Sequence, residues 1–348
     1  MTTLKTSLKL TALSALIGLA LPFTSQAASK LTVYCSTQNT TCEKITQAFS
    51  KKYDVETQFV RNSTGAVLGK IKSEKDNPQA DVWYGGTLEP HLQAADAGLL
   101  ESYRSPLQKD ILPQFQKLVK QRGEFTNIIY LMELGMGVNT KKLAEKGIPA
   151  PRCFKDLLKP EFKDQIQYAD PRVSGTGYSI ISTLISLWGE EKANDYLKAL
   201  DKNIAQYTKS GLATNYLATG DVMVDVGFML NYTKERNKGA PVEGILPCEG
   251  MSYALGAASI IKGARNLDNA KLFIDFVLGK EAQEIPWREA DSYQEPTNIH
   301  AQVAPGFMPA NKLKLVDIDF VRFGSDKERK RLVENWVKNV QENKATKE

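Results

Sequence analysis

Histidine is almost missing from this chain: His91 and His300 are the only two in 348 residues. An imidazole general base or a two-metal carboxylate–histidine cluster needs more than two isolated histidines, and no G-x-S-x-G elbow supplies a serine nucleophile. An enzyme is therefore not expected, and His91 reads as a surface residue of a helix. Cysteine is scarce as well, with Cys35, Cys42, Cys153 and Cys248 and no C-x-x-C pair, so a thiolate zinc site is not expected. No apolar run reaches the ~20 residues of a membrane helix. Charge of one sign is also missing. Forty-five basic residues stand against 40 acidic ones, a formal +5, which is too weak a bias for a nucleic-acid partner. There is no internal repeat and no low-complexity stretch.

The N-terminus has what an export signal requires. Lys5 and Lys9 form a basic start, Leu10 to Leu21 is a short apolar core, and Ser25-Gln-Ala27 ends in a small-x-small pattern. Residues 1–27 therefore read as a signal peptide cleaved near Ala27, leaving a soluble periplasmic protein that starts near Ala28. No cysteine follows the cut, which argues against a lipid anchor. Losing two lysines lowers the formal charge from +5 to +3, mildly suited to an anionic ligand. Four cysteines in an oxidising compartment favour disulfides. Three pairings are open, and the favoured one joins Cys35 to Cys42 locally and Cys153 to Cys248 at long range.

Strand and helix patterns alternate from the start. Lys30–Tyr34, Val55–Val60 and Ala80–Tyr84 alternate as strands, followed by helical runs over Cys42–Tyr53, Ala66–Lys75 and Glu89–Ala97. Short connections between them mark a parallel α/β sheet, in which ligands bind at the carboxyl ends of the strands. All three strand ends carry small or hydroxyl residues: Ser36-Thr37, Ser63-Thr64 and Gly85-Gly86-Thr87. Asn127 to Asn139 is a long apolar strand whose Gly135 and Gly137 suggest a chain crossing between lobes. A second such lobe follows, with strands over Gln165–Tyr168, Ile204–Tyr207 and Val222–Gly227. Tyr253–Ile261 reads as the return crossing, before a helix over Leu267–Leu278 and a charged terminal helix from Asp326 to about Val340.

Two stretches have the same local form. Arg61-Asn-Ser-Thr-Gly65 and Asp170-Pro-Arg-Val-Ser-Gly-Thr-Gly-Tyr178 each end a strand and open a helix. Helix-start amides, hydroxyls and the positive end of the dipole then converge on one point, a ready anion site. Serine and threonine also cap helices without binding anything, so the side-chain partners decide between the two. Two such devices far apart suggest two lobes closing on one anion.

Together these residues resemble a periplasmic solute-binding protein of an ABC importer. The resemblance rests on the export signal, Leu31-Thr-Val-Tyr34, Ala80-Asp-Val-Trp-Tyr-Gly-Gly86, Gly135-Met-Gly-Val-Asn139, the Asp170-Pro turn and Ala270-Lys-Leu-Phe-Ile-Asp-Phe-Val277. It implies the α/β periplasmic-binding-protein fold of type II, two lobes joined by two hinge crossings. Lobe 1 would comprise 28–136 with about 256–300, lobe 2 would be 137–255, and 301–348 a C-terminal helical segment packing on both. The group includes ferric-ion binders and hexose-phosphate binders. Its iron binders use adjacent tyrosines, whereas here Tyr232 is followed by Thr233, so the AfuA-like, phosphorylated-sugar branch fits better. The expectation is capture of a small phosphorylated metabolite by hinge closure and delivery to an inner-membrane permease. The protein would be a monomer without cofactor; ferric ion at Tyr232 is the alternative. Ser36, Thr37, Ser63, Thr64, Gly65, Gly86 and Thr87 are the first-lobe ligand contacts expected. Ser174, Gly175, Thr176 and Gly177 are expected to hold the phosphate itself. Lys209 would add positive charge, while Asp225 and Glu249 would accept hydrogen bonds from sugar hydroxyls.

Overall fold

The computed structural model describes residue 2 and residues 29–209, 213–305, 307, 309–313, 315–341 and 346–347. The expected export segment, apart from Thr2, and the turn at Ser210 and Gly211 lie outside the described residues. Among those described, no helix is long and apolar enough to cross a membrane.

The first half alternates as β1 (Lys30–Cys35), α1 (Asn39–Tyr53), β2 (Glu56–Arg61), α2 (Thr64–Ser73), β3 (Val82–Thr87) and α3 (Leu88–Asp96). α4 (Gln116–Arg122) then leads into β4 (Asn127–Asn139) and α5 (Thr140–Lys146). The second alternating region is β5 (Ile166–Ala169), α6 (Gly175–Trp188), α7 (Glu190–Asp201), β6 (Ile204–Thr208), α8 (Ala213–Thr219), β7 (Val224–Phe228) and α9 (Met229–Asn237). β8 (Val242–Ile245), β9 (Ser252–Ile260), α10 (Leu267–Leu278), α11 (Lys280–Glu289), β10 (Glu295–Pro296), α12 (Phe320–Phe323), α13 (Asp326–Asn339) and β11 (Thr346–Lys347) complete the chain.

Strand order is β11-β6-β5-β7-β4-β9-β3-β1-β2, with β8 and β10 also pairing β4. β1 pairs β2 and β3 in parallel at one end, and β5 pairs β6 and β7 in parallel at the other. β4 connects the two ends. Its first part, Asn127–Leu134, lies antiparallel to β9, and its last part, Leu134–Asn139, pairs β7 and β8. Two lobes thus share two antiparallel crossing strands, the type II arrangement. The carboxyl ends of β1, β2, β3 and β5 carry loops that face one another across the gap. The C-terminal segment spans it as well: α12 packs on α3 and α13 on α6 and α7.

Both favoured disulfides are formed, Cys35–Cys42 across 7 residues and Cys153–Cys248 across 95. Three local readings change. α1 begins at Asn39, not Cys42, and α11 forms around an internal Pro286 that hid it in the sequence. Gly135 and Gly137 have ordinary extended backbone and are not hinges of special freedom. They make room for α9: a Cβ on Gly135 would lie 2.6 Å from Met229 Sδ, and one on Gly137 would collide with the Tyr232 ring.

Candidate ligand cleft

A cavity of about 620 Å3, including its open mouth, lies where the loops meet. The first lobe lines it with Ser36, Thr37, Gln38, Arg61, Ser63, Thr64, Gly86 and Thr87. Tyr130 and Met132, alternate residues of crossing strand β4, form the floor with Gln294, and the second lobe adds Thr176, Phe228, Leu230 and Asn231.

On the first lobe the hydroxyls are not spent on their own helices. Ser63 stands at the N-cap of α2 and Thr87 at that of α3, yet neither side chain makes a capping hydrogen bond. Trp83 Nε1 donates to Ser36 Oγ at 2.9 Å, and Gln294 Nε2 donates to Thr37 Oγ1 at 2.7 Å. Each of these oxygens thereby has a lone pair filled from the protein side. Among the described residues the hydroxyls of Ser36, Ser63, Thr64 and Thr176 donate to no protein acceptor. Arg61 is exposed at the mouth; its Nε donates to Thr37 O at 3.0 Å, and partial desolvation lowers its pKa from the usual value.

The Gly85-Gly86 turn requires glycine. Both have left-handed backbone (φ +78° and +86°), and a Cβ on Gly86 would sit 2.5 Å from Thr64 Oγ1 and 2.8 Å from Ser36 Cβ. Tyr130 Oη takes the Gly86 N–H at 2.8 Å, and burial holds that phenol protonated. His91 corrects its surface expectation. It is fully buried, stacks on Trp83 at 3.7 Å, and places Nδ1 2.8 Å from Ser259 Oγ and Nε2 3.1 Å from Gly85 O. Nε2 facing a carbonyl carries the proton, and burial pushes the pKa down to about 3, so the ring stays neutral and braces the turn.

The second lobe is committed differently. Ser174 Oγ caps α6 by accepting the Gly177 N–H at 3.2 Å, and the residue is fully buried. Gly177 lets α6 pack on the Ala169 carbonyl, and a Cβ on Gly175 would sit 2.5 Å from Thr87 Oγ1. Of that predicted quartet only Thr176 lines the cavity. Gly65 lies against Val173 of the other lobe, where a Cβ would sit 3.2 Å from the carbonyl oxygen. The lobes are therefore in contact, and Gln38 reinforces this: its Nε2 donates to Asn231 Oδ1 and its Oε1 accepts from Lys234 Nζ, both at 3.2 Å. The structure is a closed form.

Lys209 lines an outer chamber continuous with the cavity, together with Arg61, Lys234 and Lys238. Asp225 is buried below Gly227 and Thr176. It accepts from Tyr232 Oη at 2.8 Å, and burial raises its pKa to about 7. Tyr232 itself is fully buried among Leu217, Val222 and Val242. Glu249 is away from the cavity: it accepts the Phe154 and Lys155 N–H groups at 2.9 and 3.2 Å beside the Cys153–Cys248 bridge. Neither acid belongs to the lining. Sequence reasoning did not find Gln38, Tyr130, Met132, Phe228, Leu230, Asn231 or Gln294 as lining residues. Only the alternation of Tyr130 and Met132 on one strand face was a usable signal.

Similarity to known proteins agrees with this geometry. The periplasmic binding protein P5PA is 55% identical, with a TM-score of 0.87 covering 90% of this chain and 100% of that one. AfuA from Actinobacillus pleuropneumoniae, solved with exogenous fructose-6-phosphate bound, is 49% identical with a TM-score of 0.87, covering 90% and 98%. Iron-bound HitA from Pseudomonas aeruginosa shares the fold at 22% identity, TM-score 0.75, covering 88% and 99%. Residues 78–323 match the family described as bacterial extracellular solute-binding protein, and the chain belongs to it.

Proposed function

We propose that the protein captures a small phosphorylated metabolite, a sugar phosphate such as a hexose phosphate, in the periplasm and delivers it to an inner-membrane ABC permease. The observation that carries this reading is the set of hydroxyls whose protons have no acceptor among the described residues, while Ser36 and Thr37 already accept from Trp83 and Gln294. Such groups offer donors to an anion, helped by the first-turn amides of α1, α2 and α6 and by the Arg61 cation. Among the described residues no carboxylate side chain lines the cavity, which suits a phosphoryl group and not a metal ion. Fructose-6-phosphate in AfuA at 49% identity supports the same class. Tyr130, Met132, Phe228 and Leu230 give the rest of the ligand an apolar wall, against which the C–H face of a sugar packs.

The mechanism is hinge closure. The ligand meets donors of the first lobe, and the second lobe covers it, so binding stabilises the closed state. Lobe 1 would run to about residue 136 and return at about 256, with lobe 2 between and 301–348 packing on both. The protein would act as an exported monomer, processed near Ala27. Ferric ion lacks support at the proposed ligand, since the Tyr232 phenol is buried on Asp225 and the likeness to HitA at 22% identity is one of fold.

A thermal-shift panel tests the reading: hexose phosphates, phenyl phosphate, free sugars, inorganic phosphate and ferric citrate. A specific ligand at about a hundred times its Kd stabilises the protein by about 2.7 kcal/mol. A shift with phosphate esters and none with free sugars is expected. A shift with ferric citrate alone, accompanied by a visible phenolate band, would overturn it.

A further inference from the structure

Two spaces meet at the mouth of the cleft, and the geometry points to Gln38 as a clasp between them that limits how long a ligand the closed protein holds. This rests on the phosphate reading above and deepens it, from a phosphorylated metabolite to a compact one that ends inside the inner cavity.

Gln38 occupies the N-cap of α1 (φ −65°, ψ 142°), yet its side chain makes no capping hydrogen bond. The amide is turned away from its own helix and across the cleft. On the facing lobe Asn231 and Lys234 stand three residues apart on α9, which puts them on one face of that helix. Gln38 Nε2 donates to Asn231 Oδ1 and Gln38 Oε1 accepts from Lys234 Nζ, both at 3.2 Å. An ammonium only donates, so Oε1 must face Lys234, and a single amide orientation then serves both partners. All three residues are half-buried, so the bonds are partly shielded from water. The base of the clasp is held as well, since the Cys35–Cys42 bridge spans the loop that carries Gln38.

The clasp lies where the inner cavity and the outer chamber join. Gln38, Arg61, Ser63 and Asn231 line both. The chamber is the larger, about 1350 Å3 with its open mouth against about 620 Å3 for the cavity. Elsewhere the lobes meet by close packing, Gly65 against the Val173 carbonyl and Gly175 against Thr87. Those contacts involve backbone and short side chains, whereas Gln38 reaches its partners through a long side chain that is free to swing aside. A ligand that ends within the cavity lets the clasp close behind it. One that extends into the chamber must pass Gln38, and both hydrogen bonds are given up. The clasp therefore acts on release, because the ligand enters the open form before the clasp has formed.

The experiment measures stopped-flow kinetics and affinity of the full mature protein with glucose 6-phosphate and with trehalose 6-phosphate, the same ester extended by a second glucose. Gln38→Met keeps the length of the side chain and removes both hydrogen bonds. Two bonds, one of them to a cation, correspond to about a tenfold change or more. Glucose 6-phosphate should therefore leave the variant about tenfold faster or more, at an unchanged association rate. Trehalose 6-phosphate should bind the unaltered protein more weakly and lose nothing in the variant, so the preference for the shorter ester shrinks by the same factor. Lys234→Met separates the clasp from direct ligand contact, because Lys234 lines the chamber and not the cavity. Loss of its charge shows in association, while the double variant should release glucose 6-phosphate no faster than Gln38→Met alone. Circular dichroism confirms the fold of each variant. Release from Gln38→Met at the unaltered rate, equal losses for the two esters, or single-variant effects that multiply in the double variant would each overturn the clasp and leave phosphate binding intact. If neither ester binds the unaltered protein, the phosphate reading fails and the inference falls with it.

Discussion

The two Ser/Thr–Gly turns are close copies in sequence and opposites in structure. At the end of β2, Ser63 holds an N-cap position (φ −66°, ψ 157°) without capping, and its hydroxyl turns to the cavity. Before α6, Ser174 holds the same position (φ −112°, ψ 128°) and spends its oxygen on the Gly177 N–H. One turn leaves its hydroxyl free at the cavity and the other spends it on its own helix. The difference extends to whole lobes. Among the described residues the first presents hydroxyls, a cation and a glycine turn, while the second presents Phe228, Leu230, Asn231 and one threonine. On the proposed function a ligand would meet most of its polar partners on the first lobe before closure, and the second would act mainly as a cover.

The two disulfides sharpen this contrast most strongly. Removing the 95-residue Cys153–Cys248 bridge by paired alanines should cost about 5 kcal/mol, against about 2 kcal/mol for the 7-residue Cys35–Cys42 bridge. Affinity should rank the other way, because Cys35 directly precedes Ser36. Denaturant melts and titrations on the same samples check both, and a Cys35/Cys42 variant with unchanged Kd would break the contrast. Next comes Gly86→Ala. Its Cβ would meet Thr64 Oγ1 at 2.5 Å in a left-handed backbone that costs a side chain about 1–2 kcal/mol. Affinity for the panel's best phosphate ester should drop about a hundredfold or more, with the melting point only modestly lowered. Arg61→Met should cost about 1.5–3 kcal/mol of binding, the range for a hydrogen bond to a charged group. Lys209→Met should cost less, since Lys209 lies in the outer chamber; the reverse order would move the anion outward.

Much of the fold was legible because its signals are local. Alternation in Leu31–Tyr34 and Val55–Val60 and short strand–helix spacings suffice for a parallel sheet, and the hydroxyl and glycine residues at three strand ends line or shape the cavity. What stayed hidden depends on distant partners. His91 looked like surface because its neighbours are Trp83 and Ser259, the latter 168 residues away. Glu249 looked like a ligand group because nothing nearby in sequence reveals that it binds the backbone at Phe154 and Lys155. Gln294 enters from the loop just before the two-residue strand β10, and Asn231 from the first turn of α9; neither carries a motif. Gly135 and Gly137 were visible, but their reason was not: it lies in Met229 and Tyr232, packed from another element.

The smallest expected effect is the most discriminating. Among the described residues Thr176 is the one hydroxyl that the second lobe gives the cavity, and it lies on the first turn of α6, where backbone amides remain to hold an anion without it. Thr176→Val keeps the shape and removes one neutral hydrogen bond, worth about 0.5–1.5 kcal/mol, so Kd should rise between about twofold and tenfold. Ser63→Ala on the first lobe removes a comparable bond. If the second lobe only covers a ligand already seated, the double variant should lose the sum of the two, because the sites act independently. If both hydroxyls grip the same phosphoryl group and closure depends on them jointly, the double loss departs from the sum by 0.5 kcal/mol or more. Additive losses, with Ser63→Ala slowing association and Thr176→Val speeding dissociation, are the expected outcome. Coupling of that size would mean that the two turns form one site after all.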